Sequence, residues 1–285
     1  MAHTDCTKKN AKSVYNQEMK YETLNSVTLP KIGYGTWRIG NERSKDTQSL
    51  SALRTAFETG YTHLDTAEMY GSGRAEELIS QAIHESGVSR DGLFITSKVM
   101  PSHLLYDDVL KACENSLRRL QTDYLDMYLI HWPSGGRNYE ETFKALNQLV
   151  RENKVKHLGV SNFNLKLLKM ACELSETPII TNQVPYSLTD RSYVKNGVLE
   201  FCQQNNIFLT AYSPVDEGRL YPDKTLKTIA KSHGATEYQI ALAWVISQPN
   251  IITIPMSANP QHIKENFEAA EIGLSNDEIQ QLTNG

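Results

Sequence analysis

The chain has 285 residues, a formal net charge of −4 and a hydrophobic fraction of 40%, which excludes disorder over most of its length and argues against a nucleic-acid partner. No apolar run reaches the ~20 residues that a membrane span needs, so we expect no membrane contact. The first 20 residues are polar and lack the apolar segment of a signal peptide, and we expect a cytoplasmic protein with a polar N-terminal lead over residues 1–20.

Short apolar runs typical of buried strands alternate along the chain with segments of helical periodicity. The predicted strands are Ile32–Trp37, Tyr61–Asp65, Leu93–Lys98, Tyr124–His131, Val155–Asn162, Ile179–Gln183, Ile207–Ser213 and Asn250–Pro255. The clearest predicted helices are Asp107–Leu120, Tyr139–Val150 and Glu237–Ile246. Asn164 is a predicted N-cap for a further helix over Leu165–Leu174.

This alternation predicts parallel βαβ units in a single domain over residues 21–285. Eight strands separated by helices would close a barrel, and about 250 residues is the usual length of one. The competing fold is an open doubly wound sheet, which needs a glycine-rich turn after its first strand. Gly33-Tyr34-Gly35 lacks the third glycine of that motif. We therefore predict an α/β fold of the (β/α)8 TIM-barrel type.

Polar side chains stand at the ends of all eight predicted strands, although parallel strands buried on both faces are usually apolar. These ends contribute Thr36, Asp65, Lys98, His131, Ser161-Asn162, Asn182-Gln183, Tyr212-Ser213 and Ser257. Barrel enzymes keep their active sites at the carboxyl ends of the strands. We therefore expect these side chains to line one site.

Four of the polar residues suggest acid–base chemistry. Asp65 and Lys98 end neighbouring strands, where they can form an ion pair whose net stability value is doubtful because both charges are buried. Such a pair is better explained as tuning Tyr70, which follows Asp65 on the same loop. An ammonium beside a phenol favours the phenolate and is expected to lower the pKa of Tyr70 from about 10. Tyr70 then becomes a proton donor and acceptor, while His131 can orient a carbonyl oxygen.

No residue in this set is a nucleophile, because the chain contains no serine or cysteine elbow. The remaining strand ends offer amides, hydroxyls and one aromatic ring, which suit a cofactor with a carboxamide, a flat ring and phosphates. The cysteines are scattered and the histidines form no H-x-H or H-E-x-x-H pattern. We therefore expect neither a disulfide scaffold nor a metal site.

Eight blocks of sequence carry a resemblance that covers most of the chain. They are Lys31–Trp37, His63–Gly71, Ile95–Lys98, Leu129–Pro133, Gly159–Phe163, Asn182–Tyr186, Ala211–Pro214 and Ile254–Ser257. In this order they resemble the aldo-keto reductase family, and the similarity runs from about residue 21 to residue 274. The resemblance implies a barrel that binds NAD(P)H without a Rossmann fold and reversibly reduces aldehydes or ketones to alcohols.

The resemblance also implies a role for each catalytic residue. By similarity Tyr70 is the general acid, and Lys98 and Asp65 tune it. His131 orients the substrate carbonyl. The implied substrate-binding residues are Trp37, Tyr70, His131 and Trp132.

The implied cofactor contacts fall into groups along the dinucleotide. Ser161, Asn162 and Gln183 would hold the carboxamide. Tyr212 would stack on the nicotinamide and begin the loop over the pyrophosphate. The full implied set is Thr36, Trp37, Asp65, Ser161, Asn162, Gln183, Tyr212, Ser213, Pro214, Val215, Ser257, Ala258, Asn259, His262, Glu265 and Asn266.

Two positions depart from the family's NADPH-preferring members. Those members usually carry Lys where this chain has Met256, and Arg where it has His262. Both cations would contact the 2′-phosphate through charge-assisted hydrogen bonds. Ser257, Asn259 and a partly protonated His262 would bind that phosphate more weakly. We therefore predict a relaxed cofactor preference, with NADP(H) slightly favoured and NAD(H) also used.

The end of the chain is similar to the shorter, microbial branch of the family. It follows a helix expected over Asn259–Ala270 and a short terminal helix, whereas many animal members continue into a long loop that shapes specificity. This similarity implies an open pocket and a broad range of small carbonyl substrates. Family members are commonly monomers, and we expect a monomer here.

Two other functions stay open at the level of sequence. The first is a non-catalytic NADP-binding regulatory subunit, similar to the potassium-channel β-subunits, which retain comparable residues. The chain shows no partner-binding insertion that would favour it. The second is a Schiff-base lyase that uses Lys98. The Asp65 partner argues against it, because an amine must be neutral to attack a carbonyl.

Overall fold

The computed structural model describes residues 19–135 and 139–284. The strands are β1 (Tyr21–Leu24), β2 (Val27–Pro30), β3 (Tyr34–Gly35), β4 (His63–Asp65), β5 (Phe94–Val99), β6 (Leu125–Ile130), β7 (Val155–Ser161), β8 (Ile179–Pro185), β9 (Phe208–Tyr212) and β10 (Ile251–Thr253). The helices are α1 (Asp46–Thr59), α2 (Arg74–Ser86), α3 (Tyr106–Leu120), α4 (Tyr139–Arg151), α5 (Leu165–Leu174), α6 (Ser192–Lys195), α7 (Val198–Gln204), α8 (Lys224–His233), α9 (Glu237–Ser247), α10 (Pro260–Glu268) and α11 (Asn276–Asn284). The predicted polar lead lies outside the described residues except for its last two positions.

Strands β3 to β10 form one parallel sheet in which each strand pairs with its neighbour in the chain. The two edges of this sheet meet at Thr253. Its N–H donates to the carbonyl of Lys31, and its own carbonyl accepts from Gly33 N–H, both at 2.8 Å. Ile32 forms a parallel bridge with the same residue. The sheet therefore closes into an eight-stranded barrel, which confirms the predicted (β/α)8 fold.

The predicted elements lie where the sequence pattern put them, and most observed strands are shorter than their predicted runs. The helix α5 covers the predicted Leu165–Leu174, and its first turn is capped as expected. The Asn164 side chain accepts a hydrogen bond from Leu167 N–H at 3.0 Å, which satisfies one of the amide donors that a helix start leaves open. Asn259 caps α10 in the same way, through Gln261 N–H at 2.9 Å.

An antiparallel hairpin of β1 and β2 precedes the barrel, and the sequence pattern did not predict it. Its turn at Asn25 and Ser26 has positive φ angles of 49° and 65°. That geometry is usually recognised by an Asn-Gly or Asp-Gly pair, which this turn lacks. The hairpin residues Val27 and Leu29 are buried against the side chains that fill the interior of the barrel's amino end.

The larger hydrophobic core lies between the sheet and the surrounding helices. Helix α3 turns Val109, Cys113 and Leu117 toward it, as the periodicity predicted. Within the described residues no helix is long and apolar enough to span a bilayer. With apolar side chains filling its amino end, the barrel leaves the carboxyl end of its strands as the place for a polar site.

Candidate active site

Asp65 and Lys98 form a buried ion pair at the carboxyl end of the barrel. Asp65 ends β4, Lys98 is the fifth residue of β5, and the Lys98 Nζ lies 2.6 Å from Asp65 Oδ1. Their side chains are 2% and 0% exposed, respectively. Water cannot stabilise either charge at this depth, so the two groups depend on each other and on nearby hydrogen-bonding partners.

The Lys98 ammonium uses all three of its N–H donors inside the protein. Besides Asp65, it donates to the carbonyl of Thr66 at 2.7 Å and to the Tyr70 hydroxyl at 3.4 Å. Burial by itself lowers the pKa of Lys98, but the interactions with Asp65 and Tyr70 outweigh this effect and hold that pKa above its ordinary value. Lys98 is therefore charged and its direction is set.

Tyr70 lies directly over this ammonium. It begins a short 3₁₀ turn, Tyr70–Gly73, in which Gly71 and Ser72 have positive φ angles of 55° and 54°. The Lys98 Nζ is 5.0 Å from the centre of the Tyr70 ring. The turn thus brings the phenol back over the barrel mouth.

The prediction of a lowered Tyr70 pKa is wrong in its net direction. Burial raises the pKa of the Tyr70 phenol above 10.0, and Lys98 lowers it by less than burial raises it. Asp65 adds a smaller effect in the same direction as burial. The sequence showed the cation beside the phenol but not how far the surrounding protein would withdraw the phenol from water.

His131 follows β6 and faces the same site. Its ring meets the Tyr70 ring edge to face, with centroids 5.5 Å apart at an angle of 77°. Burial, followed by the charge of Lys98, lowers the pKa of His131 from 6.5 to about 3. The imidazole is therefore neutral at pH 7. Its Nδ1 atom is buried without a hydrogen-bond partner among the described residues.

The amide side chains at the ends of β7 and β8 are partly engaged with one another and with the charged pair. Gln183 Nε2 donates to Asp65 Oδ2 at 2.7 Å, so Asp65 is held from two sides. The Tyr212 hydroxyl donates to Asn162 Oδ1 at 2.9 Å, and Ser161 Oγ donates to the carbonyl of Gln183 at 2.8 Å. Asn162 adopts a positive φ of 62°, which asparagine tolerates better than most residues.

A cavity of about 1290 Å³ opens above these groups. Of the residues predicted from sequence it is lined by Thr36, Trp37, Asp65, Tyr70, His131, Trp132, Ser161, Asn162, Gln183, Tyr212, Ser213, Pro214, Val215, Ser257, Ala258, His262, Glu265 and Asn266. Three predicted residues are not part of this lining. Asn182 is buried and donates to the carbonyl of Phe163 at 2.8 Å. Lys98 lies beneath it, bonded to the lining residues Asp65 and Tyr70, and Asn259 is occupied in capping α10.

Comparison with known proteins identifies the family. A sequence model described as the Aldo/keto reductase family matches residues 31–284 of this chain. This chain belongs to the aldo/keto reductase family. The methylglyoxal reductase YeaE of Escherichia coli strain K12 is 37% identical to this family member over 272 residues, with 93% of this chain and 94% of the relative covered.

Solved structures of other family members are similar to this aldo/keto reductase over nearly its whole length. A thermostable aldo-keto reductase crystallised with the inhibitor epalrestat has a TM-score of 0.90 and 45% identity, and the match covers 93% of this chain and 99% of that one. An aldo/keto reductase from Klebsiella pneumoniae in complex with NADP and acetate has a TM-score of 0.84 and 39% identity, with 91% and 92% covered. The expected family and enzyme class, an oxidoreductase, are thus confirmed, and the channel-subunit alternative is not favoured.

The lyase alternative is opposed by the geometry of this reductase. A Schiff-base lysine must present a neutral amine to its substrate. Lys98 is instead charged, fully buried and bonded to Asp65, Thr66 and Tyr70. Among the described residues there is also no cluster of His, Cys, Asp and Glu that could hold a metal ion.

The structure adds lining residues that the sequence analysis did not predict. Met69 and Arg38 adjoin Tyr70 and Trp37 in the chain, and Glu217 lies on the loop after β9. Arg38 Nη2 is 3.3 Å from Glu217 Oε2, so the two sides of the cavity mouth are linked by an ion pair. No motif marks these residues, because their meeting depends on how two loops fold over the barrel.

Proposed function

We propose that this protein reduces aldehydes and ketones to alcohols with NADPH, and that Tyr70 donates the proton. One observation carries this proposal: Lys98 donates all three N–H groups inwards, the last of them to the Tyr70 oxygen. The Tyr70 oxygen is therefore an acceptor toward Lys98, and its own hydrogen is directed elsewhere. The cavity is the open side, so a carbonyl oxygen placed there can accept that hydrogen.

The two pKa shifts support complementary roles for Tyr70 and His131. Because burial raises the pKa of Tyr70, the phenol carries its proton at neutral pH and gives it up only where the phenolate that forms is stabilised. Because the pKa of His131 is lowered to about 3, its neutral imidazole can donate an N–H to a carbonyl oxygen without adding a charge. Two donors at one oxygen hold the substrate and stabilise the alkoxide that develops there.

The Asp65–Lys98 pair acts after the proton leaves Tyr70. The phenolate that forms lies beside a charged ammonium that already points at it, so no rearrangement of the site is needed. Asp65 and Gln183 keep the ammonium in place. In the resting site, burial raises the Tyr70 pKa by more than Lys98 lowers it. Lys98 nevertheless stabilises the negative charge of the phenolate once it has formed.

The cavity fits a nicotinamide dinucleotide in size and in chemistry. When bound, that cofactor supplies a hydride to the carbonyl carbon. Ser161, Asn162 and Gln183 offer hydroxyl and amide groups for its carboxamide, and the half-buried Tyr212 ring offers a face for stacking. The residues proposed for the remainder of the cofactor are Thr36, Trp37, Ser213, Pro214, Val215, Ser257, Ala258, His262, Glu265 and Asn266.

We further propose a modest preference for NADPH over NADH. The NADP complex of the Klebsiella pneumoniae relative supports NADPH as the cofactor. Met256 and His262 line the cavity where cations would strengthen the contact with a 2′-phosphate. The phosphate would therefore be held chiefly by Ser257 and backbone groups, which gives weaker discrimination between the two cofactors.

The substrate is proposed to be a small carbonyl compound held by Trp37, Tyr70, His131 and Trp132. Both tryptophans are more than 40% exposed at the cavity mouth, and Met69 beside them is 45% exposed. These side chains offer apolar contact without fixed charge, which supports a broad range of aldehydes and ketones. The methylglyoxal reductase of Escherichia coli supports a dicarbonyl as one candidate.

We also propose that the protein works as a cytoplasmic monomer with no nucleic-acid partner. The net charge of −4 supports the absence of a nucleic-acid partner. Size-exclusion chromatography with light scattering would test the monomer directly.

A panel of carbonyl substrates measured with both cofactors tests the proposal. We expect turnover of 4-nitrobenzaldehyde and methylglyoxal, with a kcat/KM for NADPH that exceeds that for NADH by less than about 1000-fold, since charge-assisted bonds to the phosphate are lacking. Tyr70→Phe should lower kcat by about 10²–10⁴-fold, the usual contribution of a general acid. Cofactor binding without turnover of any substrate would instead support a regulatory subunit.

A further inference from the structure

We propose that Glu68 is a positioning residue that holds the Tyr70 segment against Lys98 from outside the cavity. Glu68 lies two residues before Tyr70, and its carboxyl group accepts the N–H of Met100, two residues after Lys98, at 2.8 Å. One side chain thus connects the two chain segments that carry the proton donor and the ammonium. This inference rests on the proposed role of Tyr70 and adds a residue to it.

The Tyr70 segment needs such a connection because it does not belong to the sheet. β4 ends at Asp65, and the segment that follows bonds to β5 through Thr66 N–H to Thr96 O at 2.8 Å and through Glu68 N–H to Lys98 O at 3.4 Å. The second of these bonds is long. The backbone ladder therefore weakens before it reaches Tyr70, where the contact with Lys98 is also 3.4 Å.

The Glu68 side chain provides the missing restraint. It is 6% exposed, and both of its oxygens lie 3.1 Å from the Nδ1 atom of His103. Among the described residues no lysine or arginine pairs with it, so its hydrogen bonds come from the backbone of Met100 and from His103. Burying a carboxyl group is costly unless hydrogen bonds satisfy it, and an apolar side chain would fill the same space without that cost. The bonds to the Lys98 segment are what this residue adds.

Glu68, Met100 and His103 lie outside the residues that line the cavity. Glu68 therefore acts through the backbone on the relative placement of Tyr70 and Lys98. Proton transfer is sensitive to such placement, since a displacement of about 1 Å can lower the rate about 100-fold. Cofactor binding depends on other walls of the cavity and should not respond.

The chain offers a matched control, Asp126, which contacts β5 at the end opposite to the one that Glu68 contacts. Asp126 of β6 is also a buried carboxyl group that accepts a backbone N–H of β5, that of Ile95, at 3.0 Å. It is further bonded to Arg90 and Lys156 and lies at the amino end of the barrel. Its removal loosens β5 in the same manner, but far from Tyr70.

The experiment compares Glu68→Ala, Glu68→Gln and Asp126→Ala in the full chain, with 4-nitrobenzaldehyde and NADPH. We expect Glu68→Ala to lower kcat by about 100-fold while the Kd for NADPH, measured by quenching of protein fluorescence, stays unchanged. Glu68→Gln keeps an acceptor for Met100 N–H and should restore most of kcat. Asp126→Ala should lower Tm and leave kcat at the wild-type value.

Several results would overturn the inference. These are a wild-type kcat in Glu68→Ala, a loss in Glu68→Gln as large as in Glu68→Ala, or a fall in kcat that tracks Tm equally in Asp126→Ala. If Glu68→Ala does not fold, Glu68→Leu replaces it, because leucine fills the space without an acceptor. Wild-type activity is measured first: an inactive wild type refutes the proposed function, whereas an active wild type and an equally active Glu68→Ala refute only the role of Glu68.

Discussion

Both ends of the barrel bury an aspartate beside a cation, but in different surroundings. At the carboxyl end Asp65 and Lys98 are both enclosed, at 2% and 0% side-chain exposure. At the amino end Asp126 is enclosed, while its partners Arg90 and Lys156 are 19% and 50% exposed. Water therefore solvates the charges of the Asp126 cluster in part, whereas it is excluded from the charges of the Asp65–Lys98 pair.

Because of this difference, the Asp126 cluster is suited to stabilising the fold and the Asp65–Lys98 pair to taking part in chemistry. A charge cluster that reaches water holds strands together at little desolvation cost. A fully buried pair is a weak source of stability, yet it keeps an ammonium dry and directed at Tyr70. The hairpin covers the amino end through Val27 and Leu29, whereas the carboxyl end opens into the cavity. Only the Asp65–Lys98 pair therefore lies next to the cavity.

The largest effect is expected when the buried Asp65–Lys98 pair is broken. Lys98→Met leaves Asp65 buried without its cation, and we expect a loss of about 3–5 kcal/mol in the free energy of unfolding, measured in urea. The double variant Asp65→Asn, Lys98→Met should recover most of that stability because it removes both charges, and it should remain inactive. An active double variant would contradict the assignment of the pair to catalysis.

A pH effect of similar size is expected from His63. This imidazole, at the start of β4, is buried with Nδ1 unpartnered among the described residues, and burial lowers its pKa from 6.5 to about 4. The unfolded chain takes up this proton below pH 6.5, but the folded protein does so only near pH 4. The contribution of His63 to stability is thus complete above pH 6.5 and falls by about 3 kcal/mol as the pH drops to 4.

The matching variant isolates this contribution. His63→Gln can still bond to Thr96 Oγ1, which lies 3.1 Å from His63 Nε2, but it does not titrate. Its free energy of unfolding should depend less steeply on pH between 4 and 6.5 than that of the wild type. Parallel curves for the two proteins would show that His63 titrates normally in the folded state.

The variant Met256→Lys tests the cofactor contacts at the open, carboxyl end of the barrel. A cation at this position of the cavity wall should add a charge-assisted hydrogen bond to the 2′-phosphate, worth about 1.5–3 kcal/mol. We expect kcat/KM with NADPH to rise by about tenfold or more and that with NADH to stay unchanged. Equal gains with both cofactors would place the effect of Met256 away from the phosphate.

The smallest effect is expected from a substitution at the amino end of the barrel. Lys156→Met removes a half-exposed ammonium 3.0 Å from Asp126, which keeps Arg90 and the Ile95 N–H. We expect less than about 1 kcal/mol of lost stability, as for other exposed ion pairs, and full activity. A loss as large as that of Lys98→Met would remove the distinction between the two ends.

The barrel and the meeting of its polar strand ends at one cavity were largely predictable, and particular residues show why. Alternating apolar runs and helical segments report local periodicity, so the strands and α5 with its Asn164 cap were expected in place. The hairpin at Asn25 and Ser26 was missed because its turn lacks a strong signal. Asp65, Lys98 and His131 were expected together because parallel strands end at one face.

The sequence by itself determined the order of strands and helices and the chemistry at each strand end, since both follow from side-chain type and spacing along the chain. Only the tertiary structure decided how far each titratable group is buried and which charged or polar groups it contacts. The enclosure of Tyr70, which raises its pKa, and the contacts of Glu68 with Met100 and of Arg38 with Glu217 depend on segments distant in sequence. Desolvation is a property of everything that surrounds a group in space, and linear spacing does not record it.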